Sequence, residues 1–224
     1  MTADTRATVS VIMAAYNAEK YLREALESVF AQDWQPFEVI LVDDGSVDGT
    51  AEIATSFPGV RYVRQENAGA AAARNAALAL AEGAFVANFD ADDVLPPTRL
   101  GLQARYLTEH SNIGCVLGRQ AWINAPASLA RDAVYGDIDG IPLSSAMFRR
   151  EILNALGGYD TTFVVGEDTD VLIRMREQGL AYTVLPEVVL YRRYHEGSLS
   201  STNGPHSQLI RSLRAKLERG KDSS

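Results

Sequence analysis

Residues 85 to 98 have the sequence Phe-Val-Ala-Asn-Phe-Asp-Ala-Asp-Asp-Val-Leu-Pro-Pro-Thr. The apolar first part is typical of a short buried strand, and the two prolines end the segment. Three carboxylates, Asp90, Asp92 and Asp93, stand where the strand ends. Because ligands of open α/β sheets bind at the carboxyl ends of strands, an Asp-x-Asp pair there suits a hard cation such as Mg²⁺ or Mn²⁺. The alternative is an acidic turn before a helix, with Asp93 or Thr98 as the N-cap residue.

Strand and helix patterns alternate on the N-terminal side of this segment. They predict strands over residues 8–13, 37–42 and 60–63 and helices over residues 21–30, 48–57 and 70–81. Asn17 is the predicted cap of the first helix. Strands followed by helices at this spacing predict an α/β fold with a doubly wound, mostly parallel sheet, and the strand that ends at Asp90 is its fourth.

The pattern after Thr98 is less regular. It predicts helices over residues 100–107, 149–156 and 168–178, with Gly157-Gly158 ending the second, and strands over 113–117, 143–148, 182–185 and 188–191. These elements form an added strand and helix region beside the parallel sheet, in which residues 115–140 match no known pattern. The pattern of residues 204–224 predicts a basic amphipathic helix. This helix would pack on the domain, form an oligomer contact or lie on a membrane.

Composition restricts the classes of function. The formal net charge is -8, which argues against nucleic-acid binding because neutralising phosphates needs a basic surface. Cys115 is the only cysteine, so no intrachain disulfide can form. The first residues lack the apolar core of a secretory signal, and no run approaches the roughly 18 apolar residues of a membrane span. These observations predict a cytoplasmic protein, with peripheral contact at the inner face of the membrane as a hypothesis for the tail.

Two further strand ends carry groups suited to a nucleotide. The first predicted strand runs into Ala14 and Tyr16, and the second ends in Asp43 and Asp44. A base could stack on Tyr16 while a carboxylate of the acidic pair accepts its hydrogens or those of the ribose. Arg74 lies near the start of a small, apolar helix, where an arginine either reaches solvent or meets an anion.

Five ordered motifs resemble the inverting family-2 glycosyltransferases, which have the GT-A fold. The motifs are residues 9–17 (Val-Ser-Val-Ile-Met-Ala-Ala-Tyr-Asn), residues 38–50 with Asp43-Asp44-Gly45-Ser46, Asn67-Ala68-Gly69 with Ala73-Arg74-Asn75, Asp90-Ala91-Asp92-Asp93 with Pro96, and Gly166-Glu167-Asp168. The resemblance extends over roughly the first 200 residues, and five motifs in register are more specific than any single one. It departs from the family at Ala14-Ala15, where Pro-Thr is usual.

The resemblance implies a role for each matching residue. For the nucleotide, Ala14 and Tyr16 would line the nucleoside pocket, and Asp44 would contact the base with Asp43 supporting it. Arg74 would approach the base or the phosphates. For the metal, Asp90 and Asp92 would be ligands, with Asp90 also contacting the nucleotide, and His195 would help to hold the metal or the diphosphate. Asp168 would be the general base, and Glu167 could share or replace that role. The alternative is that Glu167 and Asp168 only favour a helix N-terminus.

These roles agree with the chemistry of glycosyl transfer. A sugar hydroxyl is a poor nucleophile, so a carboxylate must take its proton as the new bond forms. The leaving diphosphate gathers charge, which a divalent cation with a nearby Arg or His stabilises. Helical spacing turns Asp170 about 200° from Asp168, which favours Asp168 or Glu167 on the side of the cleft. Arg192 and Arg193 either bind diphosphate or a charged acceptor, or are solvated.

The resemblance therefore implies a metal-dependent, inverting hexosyl- or N-acetylhexosaminyltransferase with UDP as the expected nucleotide. Its acceptor would be a hydroxyl of a saccharide or lipid-linked saccharide in polysaccharide, glycolipid or glycan assembly. Residues 1–203 would form the catalytic domain, with nucleotide binding in about 8–98 and acceptor binding in about 99–203.

Two other functions are compatible with a related sheet. One is that of a nucleotidyltransferase, although residues 14–17 do not form the glycine-rich phosphate loop expected of that class. The other is a non-catalytic sugar-nucleotide-binding protein, which the presence of Asp90, Asp92 and Asp168 disfavours.

Overall fold

The computed structural model describes residues 8–35, 38–125, 143–163 and 166–195, without the side chain of Asp168. The described residues contain strands β1 Val9–Ala15, β2 Glu38–Asp43, β3 Val60–Arg64, β4 Phe85–Asp90, β5 Ile113–Ile123, β6 Met147–Arg149 and β7 Ala181–Arg193. The helices are α1 Leu22–Phe30, α2 Thr50–Thr55, α3 Ala70–Leu80, α4 Arg99–Glu109, α5 Arg150–Ala155 and α6 Glu167–Glu177. The predicted tail helix and most of the unmatched 115–140 segment lie outside these ranges.

The seven strands form one mixed sheet with the order β3-β2-β1-β4-β6-β5-β7. Strands β1 to β4 are parallel to their neighbours in this group, β6 is antiparallel to β4 and β5, and β7 is parallel to β5. The predicted mostly parallel α/β sheet is therefore confirmed. The strand that ends at Asp90 is β4, which lies beside β1 in the middle of the sheet.

Helices cover both faces of the sheet, as a doubly wound fold requires. Side chains of β4 alternate between two apolar cores: Phe89 faces the core that includes Leu26 of α1 and Leu100 of α4. Val86 faces the core that also contains Val171 of α6. Strands buried on both faces explain why their sequences are continuous apolar runs without alternation.

Three local predictions were wrong. Residues 143–148 form a 3-10 turn, Leu143–Ser145, followed by the short β6, instead of one strand. The predicted strand pair within residues 182–191 is the single strand β7, whose register against β5 shifts around Pro186. Proline is compatible with this position because β7 is an outer strand of the sheet, where a missing N–H donor is tolerated.

The third wrong prediction concerns Asn17, which does not cap α1. Its backbone is in the left-handed region at a φ of 49°, and its side-chain oxygen accepts a hydrogen bond from the Val47 N–H at 2.9 Å. Helix α1 begins at Leu22 after Tyr21. Asn17 instead joins the loop after β1 to the loop after β2. Within the described part of the chain, none of the helices is both long and apolar enough to cross a bilayer.

Candidate active site

The ends of β1, β2 and β4 lie side by side at one edge of the sheet. The register pairs Ala15 with Asp43 on one side of β1 and Ala14 with Asp90 on the other. Parallel strands bring their carboxyl ends to the same edge, so the loops that follow them share one cleft. The predicted convergence of these three strand ends is confirmed.

Asp43 is buried beneath the loop that follows β2. Its carboxylate accepts hydrogen bonds from the Tyr62 hydroxyl at 2.7 Å, an Arg64 guanidinium nitrogen at 2.9 Å and the Ser46 N–H at 2.8 Å. Burial alone would raise the pKa of Asp43, but these hydrogen bonds and the charge of Arg64 lower it below the ordinary value. Because its oxygens are engaged within the protein, Asp43 stabilises the loop from below.

Asp44 connects the loop after β2 to the N-terminus of α3. Its carboxylate accepts hydrogen bonds from the Gln65 side-chain amide at 2.7 Å and from the N–H groups of Ala68 and Gly69, both at 2.8 Å. Gly69 has a φ of 91°, which a residue with a side chain rarely adopts. Asp44 thus fixes the Asn67-Ala68-Gly69 motif against β2, and its contact with a base stays a prediction.

Tyr16 lies in the loop that directly follows β1. Its side chain is 55% exposed, while the neighbouring Asn17 N–H donates to the Ser46 hydroxyl at 2.9 Å. The backbone is therefore held while the ring stays accessible. An accessible aromatic ring beside a fixed loop can stack on a planar base without reorganising the chain. Ala14, two residues earlier in β1, is partly buried.

Three carboxylates meet where β4 ends. One oxygen each of Asp90, Asp92 and Asp93 lie within 4.8 Å of one another. Burial and the negative charge of Asp90 raise the pKa of Asp92, and burial with the charges of Asp92 and Asp90 raises that of Asp93 well above its ordinary value. This excess of negative charge and the all-oxygen donor set fit a divalent cation of the Mg²⁺ or Mn²⁺ type.

The end of β7 fixes the loop that carries these acids. Val94 and Tyr191 exchange two backbone hydrogen bonds at 3.0 and 2.9 Å. His195 Nε2 lies 2.9 Å from Asp92 Oδ2, so the structure places the predicted histidine beside the predicted metal ligand. A strand distant in sequence thereby positions both sides of the proposed cation site.

Arg193 is buried, so the predicted solvated side chain is wrong for this residue, while binding of diphosphate or a charged acceptor stays a prediction. Its N–H donates to Asp93 at 2.9 Å, its Nε to the Asp92 carbonyl at 2.8 Å, and its guanidinium to Glu24 at 2.7 Å. These contacts are used to hold the acidic loop. Arg192 differs, since its guanidinium lies 5.1 Å from the centre of the Trp122 ring.

Arg74 lies between two carboxylates from different parts of the chain. Its side chain is 9% exposed, one guanidinium nitrogen is 2.8 Å from Asp90, and the other pairs with Glu167. Burial opposes its charge, but Asp90 and Glu167 raise the pKa of Arg74 above the ordinary value. The same arginine lowers the pKa of Asp90 despite burial of that carboxyl. Of the two readings of Arg74, the structure selects the one that meets an anion.

Helix α6 carries both residues that the sequence proposes for proton transfer. Glu167 and Asp168 are its first two residues, and the side chain of Asp168 lies outside the described residues. Asp170 is fully buried and accepts a hydrogen bond from Arg174 Nε at 2.7 Å. Asp170 therefore stabilises helix α6 through its contact with Arg174.

Arg99 is a functional candidate that the sequence patterns did not reveal. It is 1% exposed and donates hydrogen bonds to the Asn88 carbonyl at 2.8 Å and to Gln103 at 3.0 Å. Burial lowers the pKa of Arg99 to about 9, while the charges of Asp90 and Asp93 act in the opposite direction. It thus adds a positive charge behind the acidic cluster, at a helix position where the sequence alone suggests a solvated residue.

The model of a protein family described as Glycosyl transferase family 2 matches residues 10–166, more than half of the chain. The chain belongs to this family. Among curated family-2 relatives, the uncharacterized glycosyltransferase YibD of Escherichia coli is 44% identical over 94 residues, which are 40% of this chain and 27% of that protein. Chondroitin synthase of Pasteurella multocida is 27% identical over 207 residues, 87% of this chain and 21% of the synthase. The chain thus corresponds to a part of each relative.

Solved structures show the GT-A fold of this family-2 chain. TarS of Staphylococcus aureus in complex with UDP-GlcNAc is 25% identical, with a TM-score of 0.75 over 88% of this chain and 61% of that one. The mannosyltransferase PcManGT of Pyrobaculum calidifontis, in complex with GDP-Man and Mn²⁺, is 26% identical, with a TM-score of 0.77 over 96% and 65% of the two chains. The match with PcManGT includes most of the added strand and helix region.

The supporting role of Asp43 in this family-2 site predicts a pH-dependent loss of stability. Because its pKa is lower in the folded than in the unfolded state, its stabilisation is complete above the ordinary value of 3.8 and is lost as the pH falls through the folded value. Asp43→Asn should lower the free energy of unfolding by about 1–3 kcal/mol at pH 7 and by less near pH 3. Urea unfolding of both proteins, with Asp33→Asn at an exposed site as control, measures this. A difference that does not change with pH would contradict it.

Proposed function

We propose that this family-2 chain is a metal-dependent, inverting glycosyltransferase. It transfers a hexosyl or N-acetylhexosaminyl group from a nucleotide sugar, with UDP as the nucleotide, to a hydroxyl acceptor in polysaccharide, glycolipid or glycan assembly. The observation that carries the proposal is the cluster of Asp90, Asp92 and Asp93 at the carboxyl edge of β4. In a family-2 domain this edge also holds Tyr16 and Asp44, the two residues proposed for the nucleoside.

The choice of a nucleotide-sugar donor is supported by the ligands of related structures. TarS structures are described with UDP and with UDP-GlcNAc, and PcManGT with GDP-Man. We favour UDP for this chain on the family resemblance as a whole and on the UDP and UDP-GlcNAc complexes of TarS. In the proposed pose the base stacks on Tyr16, Asp44 accepts a hydrogen bond from it, and Ala14 supplies a small surface beneath the nucleoside.

Asp90, Asp92 and His195 would hold Mn²⁺ or Mg²⁺. The bound cation would neutralise the charge that develops on the leaving diphosphate. Arg74 adds a positive charge beside Asp90 and so contributes to the same electrostatic stabilisation. Asp93 supports the loop, because its carboxylate accepts the Arg193 N–H.

Asp168 would be the general base, with Glu167 beside it. Its position in the first turn of α6 follows Glu167, whose carboxylate reaches Arg74 and through it Asp90. A carboxylate at this place can take the proton of an acceptor hydroxyl while the oxygen attacks the anomeric carbon from the face opposite the diphosphate. One base and no covalent intermediate give inversion at that carbon.

The configuration of the product tests this mechanism. The protein, Mn²⁺ and UDP-N-acetylglucosamine, UDP-glucose or GDP-mannose are incubated with a panel of saccharide acceptors, and ¹H NMR reads the new anomeric proton. We expect metal-dependent transfer with inversion from one UDP-sugar. Retention of configuration would contradict the single-base mechanism, and equal rates in excess EDTA would contradict the role of the metal.

The division into donor and acceptor parts at about residue 98 remains part of this proposal. So do the cytoplasmic location, the homo-oligomer contact and the membrane contact. The last two depend on residues 204–224, which lie outside the described residues.

A further inference from the structure

Two adjacent residues of α3 connect the elements around α6 to the nucleotide edge of the sheet. Arg74 bridges Asp90 and Glu167. Asn75 makes a pair of hydrogen bonds with the backbone of Tyr159, accepting its N–H at 2.8 Å and donating to its carbonyl at 2.7 Å. Consecutive side chains of one helix thus hold both the first turn of α6 and the segment that precedes it.

The Arg74 to Glu167 contact is well placed to fix the start of α6. The two side chains are 9% and 13% exposed, so the ion pair has little access to solvent and depends on its partners remaining together. Gly166, directly before the helix, has a φ of 95°. A residue with a side chain rarely adopts this φ, so the turn into the first helical residues, Glu167 among them, depends on glycine here.

Arg174 makes a second set of contacts that hold α6. Arg174, two turns into the helix, donates hydrogen bonds to the carbonyls of Leu156 at 2.6 Å and Gly158 at 2.8 Å. These contacts do not involve the sheet edge. The carboxylate of Glu167 therefore connects the first turn of α6, through Arg74, to Asp90 of the acidic cluster.

We propose that Glu167 is a positioning residue, whose carboxylate is held by Arg74 so that the first turn of α6, with Asp168, keeps a fixed place beside Asp90. The kinetic consequence rests on the proposed function, whereas the effect on the helix does not. The carboxylate of Glu167 is engaged by Arg74, which also holds Asp90. The pair thus suits Glu167 to holding the helix, and the proton of the acceptor goes to Asp168.

Two substitutions at one position separate positioning from proton transfer. Glutamine keeps a side-chain oxygen that can accept a hydrogen bond from Arg74 but cannot act as a base, and alanine removes both properties. Glu151→Ala is the matched control, since Glu151 is an exposed acid in the first turn of the neighbouring helix α5. Each protein is assayed for nucleotide release from UDP-N-acetylglucosamine with Mn²⁺, and for hydrogen exchange of the α6 amides of residues 170–174.

We expect Glu167→Ala to lower kcat by about 10²-fold while the donor KM changes less than about threefold, because a misplaced base loses rate and not donor binding. Glu167→Gln should recover most of kcat. Exchange of the α6 amides should be faster in Glu167→Ala and close to wild type in Glu167→Gln and Glu151→Ala. Equal loss of kcat in both Glu167 variants would overturn the proposal and make Glu167 the base.

The exchange experiment decides the positioning role by itself. If the wild type transfers sugar from none of UDP-N-acetylglucosamine, UDP-glucose and GDP-mannose to the panel of saccharide acceptors, the proposed function has failed, yet faster exchange in Glu167→Ala alone still supports the role of Glu167. Unchanged exchange in Glu167→Ala would overturn it even in an active enzyme.

Discussion

Asp168→Asn should lower kcat by about 10³-fold and leave the affinity for UDP with Mn²⁺ within about threefold of wild type. The side-chain amide of asparagine has nearly the shape of the carboxylate but does not accept the proton of a hydroxyl. In the proposed site, nucleotide binding depends on the edge formed by Tyr16, Asp44 and Asp92, so we expect it not to change. Steady-state rates of nucleotide release, together with a UDP titration of the same preparation, measure the two quantities.

Glu177→Gln provides the matched control for this substitution. Glu177 is an exposed acid at the other end of the same helix α6. Glu177→Gln replaces a carboxylate by an amide, as Asp168→Asn does, but at a position outside the first turn of the helix. It should keep kcat near the wild-type value. If Asp168→Asn retains more than about a tenth of kcat, Asp168 is not the general base, given the size of this effect in enzymes.

Asp92→Ala should lower metal-dependent activity by about 10²-fold or more and remove the stimulation by Mn²⁺. The substitution removes a carboxylate from the cluster at the end of β4 and leaves His195 without its partner at 2.9 Å. Rates at increasing Mn²⁺ concentration measure the loss. Glu109→Ala, at an exposed acid at the end of α4, is the control for a general change in charge.

A result that separates stability from metal binding completes this test. Asp92 also accepts a hydrogen bond from Arg193 through its carbonyl, which the substitution does not remove. The fold should therefore be retained, and thermal unfolding should change little. Wild-type rates and Mn²⁺ stimulation in folded Asp92→Ala would show that this carboxylate does not hold the cation.

The strand ends that form the site could be predicted because their signals are local. The apolar run before Asp90 and the acids after it lie within a few residues, and so do the strand before Asp43 and its loop. Parallel pairing then brings β1, β2 and β4 to one edge without further information. Burial on both faces fixes these strands more strongly than their flanking turns.

The second half of the site depends on contacts that no local pattern contains. Arg193 meets Asp93 across 100 residues of sequence, and an arginine after a strand resembles a solvated side chain until its partners are known. The two strands predicted over residues 182–185 and 188–191 are one outer strand, which accommodates Pro186 through a shift in register. Such long-range pairings require the three-dimensional structure.

Glu167 shows the same limitation at the level of chemical role. Its sequence context, beside Asp168 at the start of a helix, is equally compatible with a base, a helper or a residue that favours the helix N-terminus. Only the position of Arg74, 93 residues earlier, reveals the ion pair. The residue type predicted a role in proton transfer, whereas the ion pair with Arg74 favours the proposed role of holding the helix.

Calorimetric titration of UDP and GDP into the wild-type protein, with and without Mn²⁺, tests the central claim most directly. We expect UDP to bind more tightly than GDP and Mn²⁺ to strengthen UDP binding, because the diphosphate and the acidic cluster need the cation between them. Asp92→Ala in the same cell should lose the effect of the metal. Absence of binding of either nucleotide with any divalent metal would contradict a donor site at this edge of the sheet.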